Sequence, residues 1–338
     1  MSTNIETSTM PSYDVALMGS CGIDNIWRSP LKQACADRSL TYFDPYSENG
    51  WSLASVSHEV HAVHNSKVVF VGVNAKTDGY GSLCEIGWSA ASAVLDDRQL
   101  HFLIERPPLG TKPNDTFLRT RKLAIDLMEM FHVYDPELFT ISHNYNEFIE
   151  RGIGVIGSLK RANRSINRAS SKVGEKVQLE WIPEIAVFGV VKASNNFSGE
   201  LSTNVVARQL ADRNLPVYQP PTKNWSEETH HSQEMPHKLR AKVLVQTIDS
   251  TSPSFGSLVE TGIFAATALS FSRPFGVLIK DYYDPDLGSV DIDAYPNRVR
   301  QLTRGHLKVI AAKSNGLIFV ASNEKELAEF AVRQYGSS

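Results

Sequence analysis

The sequence has little of what marks secreted, membrane-spanning or nucleic-acid-binding proteins. It contains only 3 cysteines (Cys21, Cys35 and Cys84), and no two of them form a CxxC pair, which argues against a disulfide framework. No apolar run approaches the roughly 18 residues that a membrane span requires. The formal net charge is only −3, so no strong basic field favours nucleic acid or an anionic membrane. We therefore expect a cytoplasmic protein and do not expect a membrane or nucleic-acid partner.

Several motifs that bind cofactors or metals are missing as well. The chain has no GxxxxGK[ST] and no GxSxG, and residues 19–22 read Gly-Ser-Cys-Gly rather than GxGxxG. Residues 58–64 read HEVHAVH, which is not the zinc motif HExxH because the fifth position is Ala62. The sequence therefore predicts neither a dinucleotide cofactor nor a bound metal.

What the sequence does contain is an internal repeat. The 338 residues, 42% of them apolar and 21% charged, suit two ordinary globular domains. Matching segments recur at a spacing of 175 residues, or 174 at Trp51 and Trp225. The clearest pairs are 36–40 with 211–215, 66–68 with 241–243, 81–87 with 256–262, and 103–104 with 278–279. So many matches at one spacing predict a tandem duplication.

The repeat divides the chain into four parts. We predict a disordered N-terminus at residues 1–12, a first copy at 13–152, a basic linker at 153–183 and a second copy at 184–338. The basic residues of the linker lie between Ser158 and Lys176, among serine and asparagine. A solvated linker or helix is one interpretation of this segment, and an arm that binds phosphate or nucleic acid is the other.

Within each copy, short apolar runs alternate with helical patterns. The first copy has strand-like runs at 15–18, 40–43, 67–73 and 100–104, and the second has them at 185–188, 216–218, 242–248 and 275–279. Helical patterns lie at 30–38 and 82–95, and again at 207–213 and 257–269. This alternation predicts an α/β fold in which each copy has a parallel sheet covered by helices on both faces.

Polar residues follow the predicted strands of the first copy. Gly19-Ser20, Asp44-Pro45 and residues 74–78 occupy these positions, and Glu85 lies just beyond. Because ligands of open α/β sheets bind outside the carboxyl ends of the strands, these loops predict a site. The equivalent positions of the second copy are Gly189, Gln219-Pro220, residues 249–254 and Glu260.

Glu85 and Glu260 occupy the same position of a heptapeptide, Gly-Ser-Leu-x-Glu-x-Gly, that both copies contain. We place Glu85 near the N-terminus of a helix, where free N–H groups and the helix dipole favour an ionised carboxylate. Nucleophilic catalysis requires that ionised form. The alternative is a structural role, because glutamate is common near helix N-termini without any catalytic function. Gly87, at the end of the first heptapeptide, would permit close helix packing.

Five short motifs occur in a defined order in the first copy. They are Met18-Gly19-Ser20, Asp44-Pro45, the strand 67–73, Asp78-Gly79-Tyr80-Gly81 and Glu85-Ile86-Gly87. Their order resembles the nucleoside 2-deoxyribosyltransferase family, and Trp27-Arg28 and Trp51 resemble members of a wider branch of it. The resemblance covers most of each copy. It implies two tandem flavodoxin-like, or Rossmann-like, domains that act on the N-glycosidic bond of a nucleoside or nucleotide, by 2-deoxyribosyl transfer or by hydrolysis.

The resemblance also implies a role for each residue of the site. Glu85 would attack the anomeric carbon and expel the base, while Asp78 would handle the proton of the leaving base. Asp44 and Glu59 would bind sugar hydroxyls. Glu260 would be the catalytic carboxylate of the second copy. The other implied contacts are Trp51 or Trp27 stacked on the base, Gly19, Ser20, Gly81 and Ser82, and in the second copy Gly256, Ser257 and Trp225.

Some positions depart from the pattern of the family. An aspartate near the start of the third strand is replaced by Lys67 in the first copy and by Lys242 in the second, where phosphate binding is an alternative role. Pro253 stands at the position equivalent to Asp78, so the second copy lacks that acid. We therefore favour the first copy for catalysis, with the second copy completing or supporting its site.

Three kinds of function follow from these observations. The first is an enzyme of nucleoside or nucleotide metabolism with a glutamate nucleophile. The second is a non-catalytic module that binds or senses a nucleotide through degenerate sites, which Lys67 and Lys242 favour. The third is a pseudoenzyme whose tandem domains mediate assembly. The expected partner is a nucleoside or nucleotide, no cofactor is implied, and a homo-oligomer is left open.

Overall fold

The computed structural model describes eight segments of the chain, residues 12–20, 26–45, 55–75, 79–105, 115–159, 180–189, 204–220 and 234–337. Residues 1–11 of the predicted disordered N-terminus and residues 160–179 of the predicted linker lie outside these segments. Three residues of the predicted site, Trp51, Asp78 and Trp225, also lie outside them.

The first copy follows the alternation that its sequence predicts. Its strands are β1 (Tyr13–Gly19), β2 (Tyr42–Phe43), β3 (Ser66–Val73), β4 (Gln99–Ile104) and β5 (Phe139–Ser142). Its helices are α1 (Arg28–Ala36), α2 (Ser55–His64), α3 (Tyr80–Asp96), α4 (Asp115–Tyr134) and α5 (Tyr145–Leu159).

The second copy repeats this order of elements. Its strands are β6 (Ile182–Gly189), β7 (Val217–Tyr218), β8 (Ala241–Ile248), β9 (Phe275–Ile279) and β10 (Ile318–Val320). Its helices are α6 (Val205–Ala211), α7 (Met235–Arg240), α8 (Phe255–Phe271), α9 (Tyr295–Lys313) and α10 (Glu324–Gly336).

Each copy forms one five-stranded parallel sheet. The strand order is β2-β1-β3-β4-β5 in the first copy and β10-β9-β8-β6-β7 in the second. Counted from the start of each copy, both orders are 2-1-3-4-5, which is the doubly wound order of flavodoxin-like sheets. The predicted fold class is therefore confirmed: the protein is an α/β protein with two tandem Rossmann-like domains.

The composition of the central strands explains why the sheets are buried. Strand β3 reads SKVVFVGV, and all of its residues except Lys67 are buried. β-Branched residues suit a pleated strand, and a near-continuous apolar run suits a strand that is covered on both faces. Strand β8 reads AKVLVQTI and holds the equivalent place in the second sheet.

Helix α3 is buried on all sides over most of its length. Every residue from 82 to 93 is buried, whereas a helix on the surface of a sheet normally leaves one face exposed. The reason is that α3 packs between its own sheet and α8 of the second copy. One apolar core consequently contains residues of both copies, among them Leu83, Ile86, Leu258 and Ile263.

The segment between the copies is shorter than its predicted bounds. Helix α5 continues to Leu159 and strand β6 begins at Ile182, so the predicted linker 153–183 includes the end of a helix and the start of a strand. Within the part of the chain that the structure describes, no helix combines the length and the apolar character that crossing a membrane would need.

Candidate active site

The two heptapeptides meet where helices α3 and α8 cross. A Cβ atom on Gly262 would lie 2.3 Å from the carbonyl carbon of Gly87, and one on Gly87 would lie 2.8 Å from the carbonyl oxygen of Val259. No side chain fits at that separation, so the final glycine of each heptapeptide allows the backbones to touch. The expected role of Gly87 in helix packing is thus confirmed. The same residue of each copy meets its counterpart, as in the isologous interface of a symmetric dimer.

Each copy also contacts the start of the other copy's motif helix. The hydroxyl of Tyr295, from α9, accepts a hydrogen bond from the Gly81 N–H at 2.8 Å. On the other side, the Oγ1 atom of Thr120, from α4, lies 3.9 Å from the position of a Cβ on Gly256. Gly81 and Gly256 were both predicted substrate contacts. The structure places each of them beside a helix of the other copy.

Glu85 lies at the sixth position of α3, and its side chain is only 8% exposed. Its carboxyl group is hydrogen-bonded to the backbone N–H of Gly19. Its Oε2 atom is buried and has no hydrogen-bond partner among the described residues. A buried polar atom of this kind is rare in folded proteins, and a bound molecule or ordered water is one explanation for it.

Burial raises the pKa of Glu85 to about 7, although the positive charge of Arg28 and the Gly19 hydrogen bond act in the opposite direction. Burial therefore opposes the preference for the ionised form that we expect at the start of a helix. Removal from water disfavours the charged form more strongly than the neighbouring groups favour it. The group is poised between its acid and its base forms near neutral pH.

The conformation of Gly19 makes the contact with Glu85 possible. Its φ is +109°, and a Cβ atom at this position would lie 2.2 Å from the carbonyl oxygen of Gly72. Only glycine can adopt this geometry at the carboxyl end of β1. The N–H of Gly19 is bonded to Glu85, and the contact of Gly19 with substrate stays a prediction.

A buried ion pair borders the carboxyl end of β1. Arg28 is 4% exposed and donates to the carbonyl oxygens of Leu17 at 2.6 Å and Gly19 at 3.0 Å. It also pairs with Asp44, whose other carboxylate oxygen accepts from Lys32 at 3.0 Å. Both oxygens of Asp44 are thus bound to cations of the protein. The predicted role of Asp44 as a ligand of sugar hydroxyls competes with this ion pair.

Polar residues of the neighbouring loops complete the edge of the sheet. Ser20 accepts a hydrogen bond from the Asn74 N–H at 3.3 Å. Arg121, from α4, donates to the carbonyl oxygens of Glu105, at 2.9 Å, and of Asn74. Because Asn74 follows β3 and Glu105 follows β4, Arg121 joins these two loops. The predicted contact residue Ser82 is buried in the first turn of α3.

The second carboxylate, Glu260, lies in a different environment. Lys238 of α7 donates to Glu260 Oε1 at 2.6 Å and lies 3.0 Å from Glu234 Oε2. Lys238 is 5% exposed; burial lowers its pKa, but Glu260 and Glu234 more than offset this and raise it overall. The small cavity beside Glu260 is enclosed and has room for about one water, ≈ 10 Å³. In the described residues, Glu260 therefore faces a protein cation and a closed interior.

Several other predicted residues are placed away from a ligand site. Trp27 is fully buried and packs edge-on against Phe148 at 5.3 Å, so it cannot stack on a base. Lys67 lies at the start of β3, at the edge opposite Glu85, where it pairs with Asp14 at 2.7 Å. Lys242 donates to the carbonyl oxygen of Tyr335 at 2.9 Å. Phosphate binding by these lysines stays a prediction, and the structure places Lys67 at the opposite end of the sheet from Glu85.

The two remaining residues of the predicted site are Glu59 and Ser257. Glu59 lies on α2 and is 3% exposed, at the position equivalent to Glu234. The backbone oxygen of Ser257 accepts from the Gln246 side chain at 2.9 Å and from the Thr261 hydroxyl at 2.7 Å.

Three residues had no predicted role: Arg28 beside Glu85, Arg121 at the loops after β3 and β4, and Tyr295 at the start of α3. Arg28 was noted only as part of the Trp27-Arg28 resemblance, and its buried position beside β1 was not evident from the pattern. Arg121 and Tyr295 reach the site from helices that are distant in sequence. Only knowledge of how α4 and α9 pack would have pointed to them.

Comparison with known proteins found no relative, since the chain matches no family model and no curated protein. The resemblance to the nucleoside 2-deoxyribosyltransferases therefore stays a prediction from the sequence.

Proposed function

We propose that the first copy acts on the N-glycosidic bond of a nucleoside or nucleotide, with Glu85 as the nucleophile. The observation that carries this proposal is the buried carboxyl of Glu85, which is held by Gly19 through a backbone N–H and whose Oε2 has no hydrogen-bond partner among the described residues. A carboxyl with these properties at the carboxyl ends of parallel strands suits covalent chemistry on a small ligand. The resemblance of the sequence motifs supplies the class of substrate.

In the proposed reaction, ionised Glu85 attacks the anomeric carbon as the bond from that carbon to the base nitrogen breaks. The electron pair of the broken bond leaves with the nitrogen, which takes up a proton. A glycosyl ester of Glu85 results, and water or a second base then attacks the same carbon and frees the carboxylate. Asp78 is the proposed source of the proton, on the basis of its position in the motif.

The burial of Glu85 favours this mechanism in one further respect. Charge spreads over the sugar ring and the departing base in the transition state, and a carboxylate in a poorly solvated site interacts with that charge more strongly than it would in water. Arg28 and the Gly19 N–H provide the partial stabilisation that lets Glu85 ionise in such a place.

The test is a mass-spectrometric assay. The protein would be incubated with ribo- and 2′-deoxynucleosides and nucleotides, with and without a free acceptor base. We expect free base or an exchanged nucleoside, lost in Glu85→Gln and retained in the matched variant Glu260→Gln. Equal turnover by wild type and Glu85→Gln would rule out Glu85 as the nucleophile. Release of base without exchange would identify hydrolysis rather than transfer.

The pH dependence of this activity provides a separate test. Because the ionised form attacks and the pKa of Glu85 is about 7, the rate should rise as the pH increases from 6 to 8 and level off above. The rate constant at saturating substrate would be measured across this range. A rate that falls over the same range would assign Glu85 the role of a proton donor instead.

A non-catalytic nucleotide-binding or sensing module is the second candidate function. It is favoured for the second copy by the bond between Lys238 and Glu260, which leaves that carboxylate paired within the protein. A nucleotide that remains bound after gel filtration, with no product formed, would support this function for the whole chain.

A further inference from the structure

In the second copy a buried lysine binds the motif carboxylate, and the first copy has a valine at the matching position. Lys238 of the second copy is matched by Val63 of the first, at the spacing of 175 residues that also relates Glu260 to Glu85 and Glu234 to Glu59. Both copies therefore contain the same pair of buried or partly buried glutamates. In the second copy Lys238 lies between the two glutamates, and the first copy has Val63 at the matching position.

The hydrogen bonds of two arginines show that these positions are equivalent in space. Arg98 donates to the carbonyl oxygen of Val63, and Arg273 donates to that of Lys238 at 2.6 Å. Arg98 and Arg273 are themselves related by the 175-residue spacing. The backbones at 63 and 238 are thus held in the same way, and what differs is the side chain.

That difference changes what each carboxylate can do. Lys238 is 6% exposed in its side chain and is bonded to Glu260 at 2.6 Å, so its charge is compensated within the protein. An attack by Glu260 would separate a buried ammonium from its partner, and an unpaired buried charge is strongly unfavourable. Val63 is fully buried and brings no charge, and Oε2 of Glu85 has no hydrogen-bond partner within the described part of the chain.

We propose that the residue at position 63 or 238 decides whether the carboxylate of its copy can react, and that Lys238 makes the second copy a structural half with no active centre. This inference rests on the proposed function of Glu85. The second copy contributes instead through its packing, including the contact of Tyr295 with Gly81. The chain accordingly has one reactive carboxylate in two copies of the motif.

The first experiment changes Val63 and measures base release. Val63→Lys places the lysine of the second copy in the first, and Val63→Met is the matched control that adds length without charge. We expect Val63→Lys to lose at least tenfold in base release, while Val63→Met keeps most of the wild-type rate. Comparable rates in Val63→Lys and Val63→Met would overturn the proposal.

A second measurement does not depend on turnover. Infrared difference spectra would follow the C=O band of protonated carboxyl groups at neutral pH in wild type, Glu85→Gln and Lys238→Met. We expect a wild-type band that disappears in Glu85→Gln, and an additional band in Lys238→Met that is absent from Lys238→Met combined with Glu260→Gln. If Lys238→Met does not fold, the double variant Lys238→Met/Glu234→Gln would replace it. This variant leaves Glu260 as the single carboxyl of the former ion pair and should show the same additional band.

The two measurements separate the two ideas. If no nucleoside is turned over but the additional band appears, the proposed function fails and the effect of Lys238 on Glu260 stands. If turnover requires Glu85 but Lys238→Met adds no band, Lys238 does not control its carboxylate and the inference fails.

Discussion

At the scale of single residues, the chemistry of Glu85 depends on burial. A glutamate in the first turn of an exposed helix would gain from the helix dipole, but Glu85 lies below the surface with Gly19 and Arg28 as its nearby stabilising groups. Raising the pKa toward neutrality is a general means of obtaining acid–base chemistry from a carboxyl near pH 7. The same environment has a measurable effect on stability.

Glu85→Gln should stabilise the protein at alkaline pH. The pKa of Glu85 is raised from 4.5 to about 7 in the folded protein. Protonated Glu85 therefore contributes to the unfolding free energy in full below pH 4.5, and this contribution is lost as the pH rises to about 7. Glutamine cannot ionise and avoids this loss. The gain of the variant over wild type should grow by up to about 3 kcal/mol between pH 4.5 and pH 8, at 1.36 kcal/mol per pKa unit.

Urea unfolding of both proteins across this pH range would measure the effect. Glu260→Gln is the control, because its carboxylate is paired with Lys238 and its loss should destabilise the protein. A constant difference in unfolding free energy between Glu85→Gln and wild type would contradict the raised pKa.

At the scale of elements, the crossing of α3 and α8 is the most constrained feature. Gly262→Ala would bring a methyl group to 2.3 Å from the Gly87 backbone, which forces the two helices apart. We expect a loss of about 3 kcal/mol in unfolding free energy, at the upper end of the cost of overpacking. Thermal or urea unfolding would measure it.

Gly154→Ala in α5 is the matched control for this variant. A Cβ atom on Gly154 would meet no atom within 4 Å, and alanine is a better helix former than glycine. This variant should therefore gain about 0.5–1 kcal/mol. Equal effects of the two substitutions would mean that the crossing is looser than the structure shows.

The elements themselves were largely predictable, whereas the surroundings of the carboxylate were not. β-Branched runs such as 67–73 identify strands locally, and the alternation with helices predicts a parallel sheet. The pairing of Arg28 with Asp44 and the contact of Tyr295 with Gly81 join segments that are 16 and 214 residues apart. No local pattern encodes such contacts, so the burial of Glu85 and its raised pKa could not be anticipated.

At the scale of the whole molecule, the interface between the copies contains a buried pair of histidines. His306 of α9 is fully buried and stacks on Trp88 at 3.5 Å, and its Nδ1 lies 3.3 Å from Nε2 of His64. His64 Nδ1 is 3.1 Å from the Ser92 hydroxyl and 3.9 Å from Asp96. Asp96 also binds Arg98 and Lys313, so positive charges border the pair.

Acid should weaken the contact between the copies. Burial lowers the pKa of His64, and burial together with His64 lowers that of His306 well below 6.5. Both histidines therefore have a lower pKa in the folded protein than in the unfolded chain. Their full contribution to the unfolding free energy is present above about pH 6.5 and is lost as the pH decreases below that value. The lowered pKa of Asp96 changes the unfolding free energy only below about pH 3.8, which is outside this range.

The measurement requires a background without Glu85, because that residue changes stability in the opposite direction over the same pH range. We would compare Glu85→Gln with the triple variant that also carries His64→Leu and His306→Leu. Leucine is the residue that the second copy has at the position of His64, namely Leu239. Unfolding free energy should decrease more steeply from pH 6.5 to pH 5 in Glu85→Gln than in the triple variant, which keeps only the dependence from His101, whose pKa burial lowers to about 4. Parallel curves would exclude the histidine pair as the cause.

The meeting of Gly87 with Gly262 has a consequence for how such a protein can change over generations. When two identical chains associate through a self-complementary surface, one codon specifies both halves, and every substitution appears twice. Joining the halves in one chain gives each its own codon. The lysine at 238 and the valine at 63 can then coexist, so inheritance permits one half to specialise in chemistry while the other is retained as its scaffold.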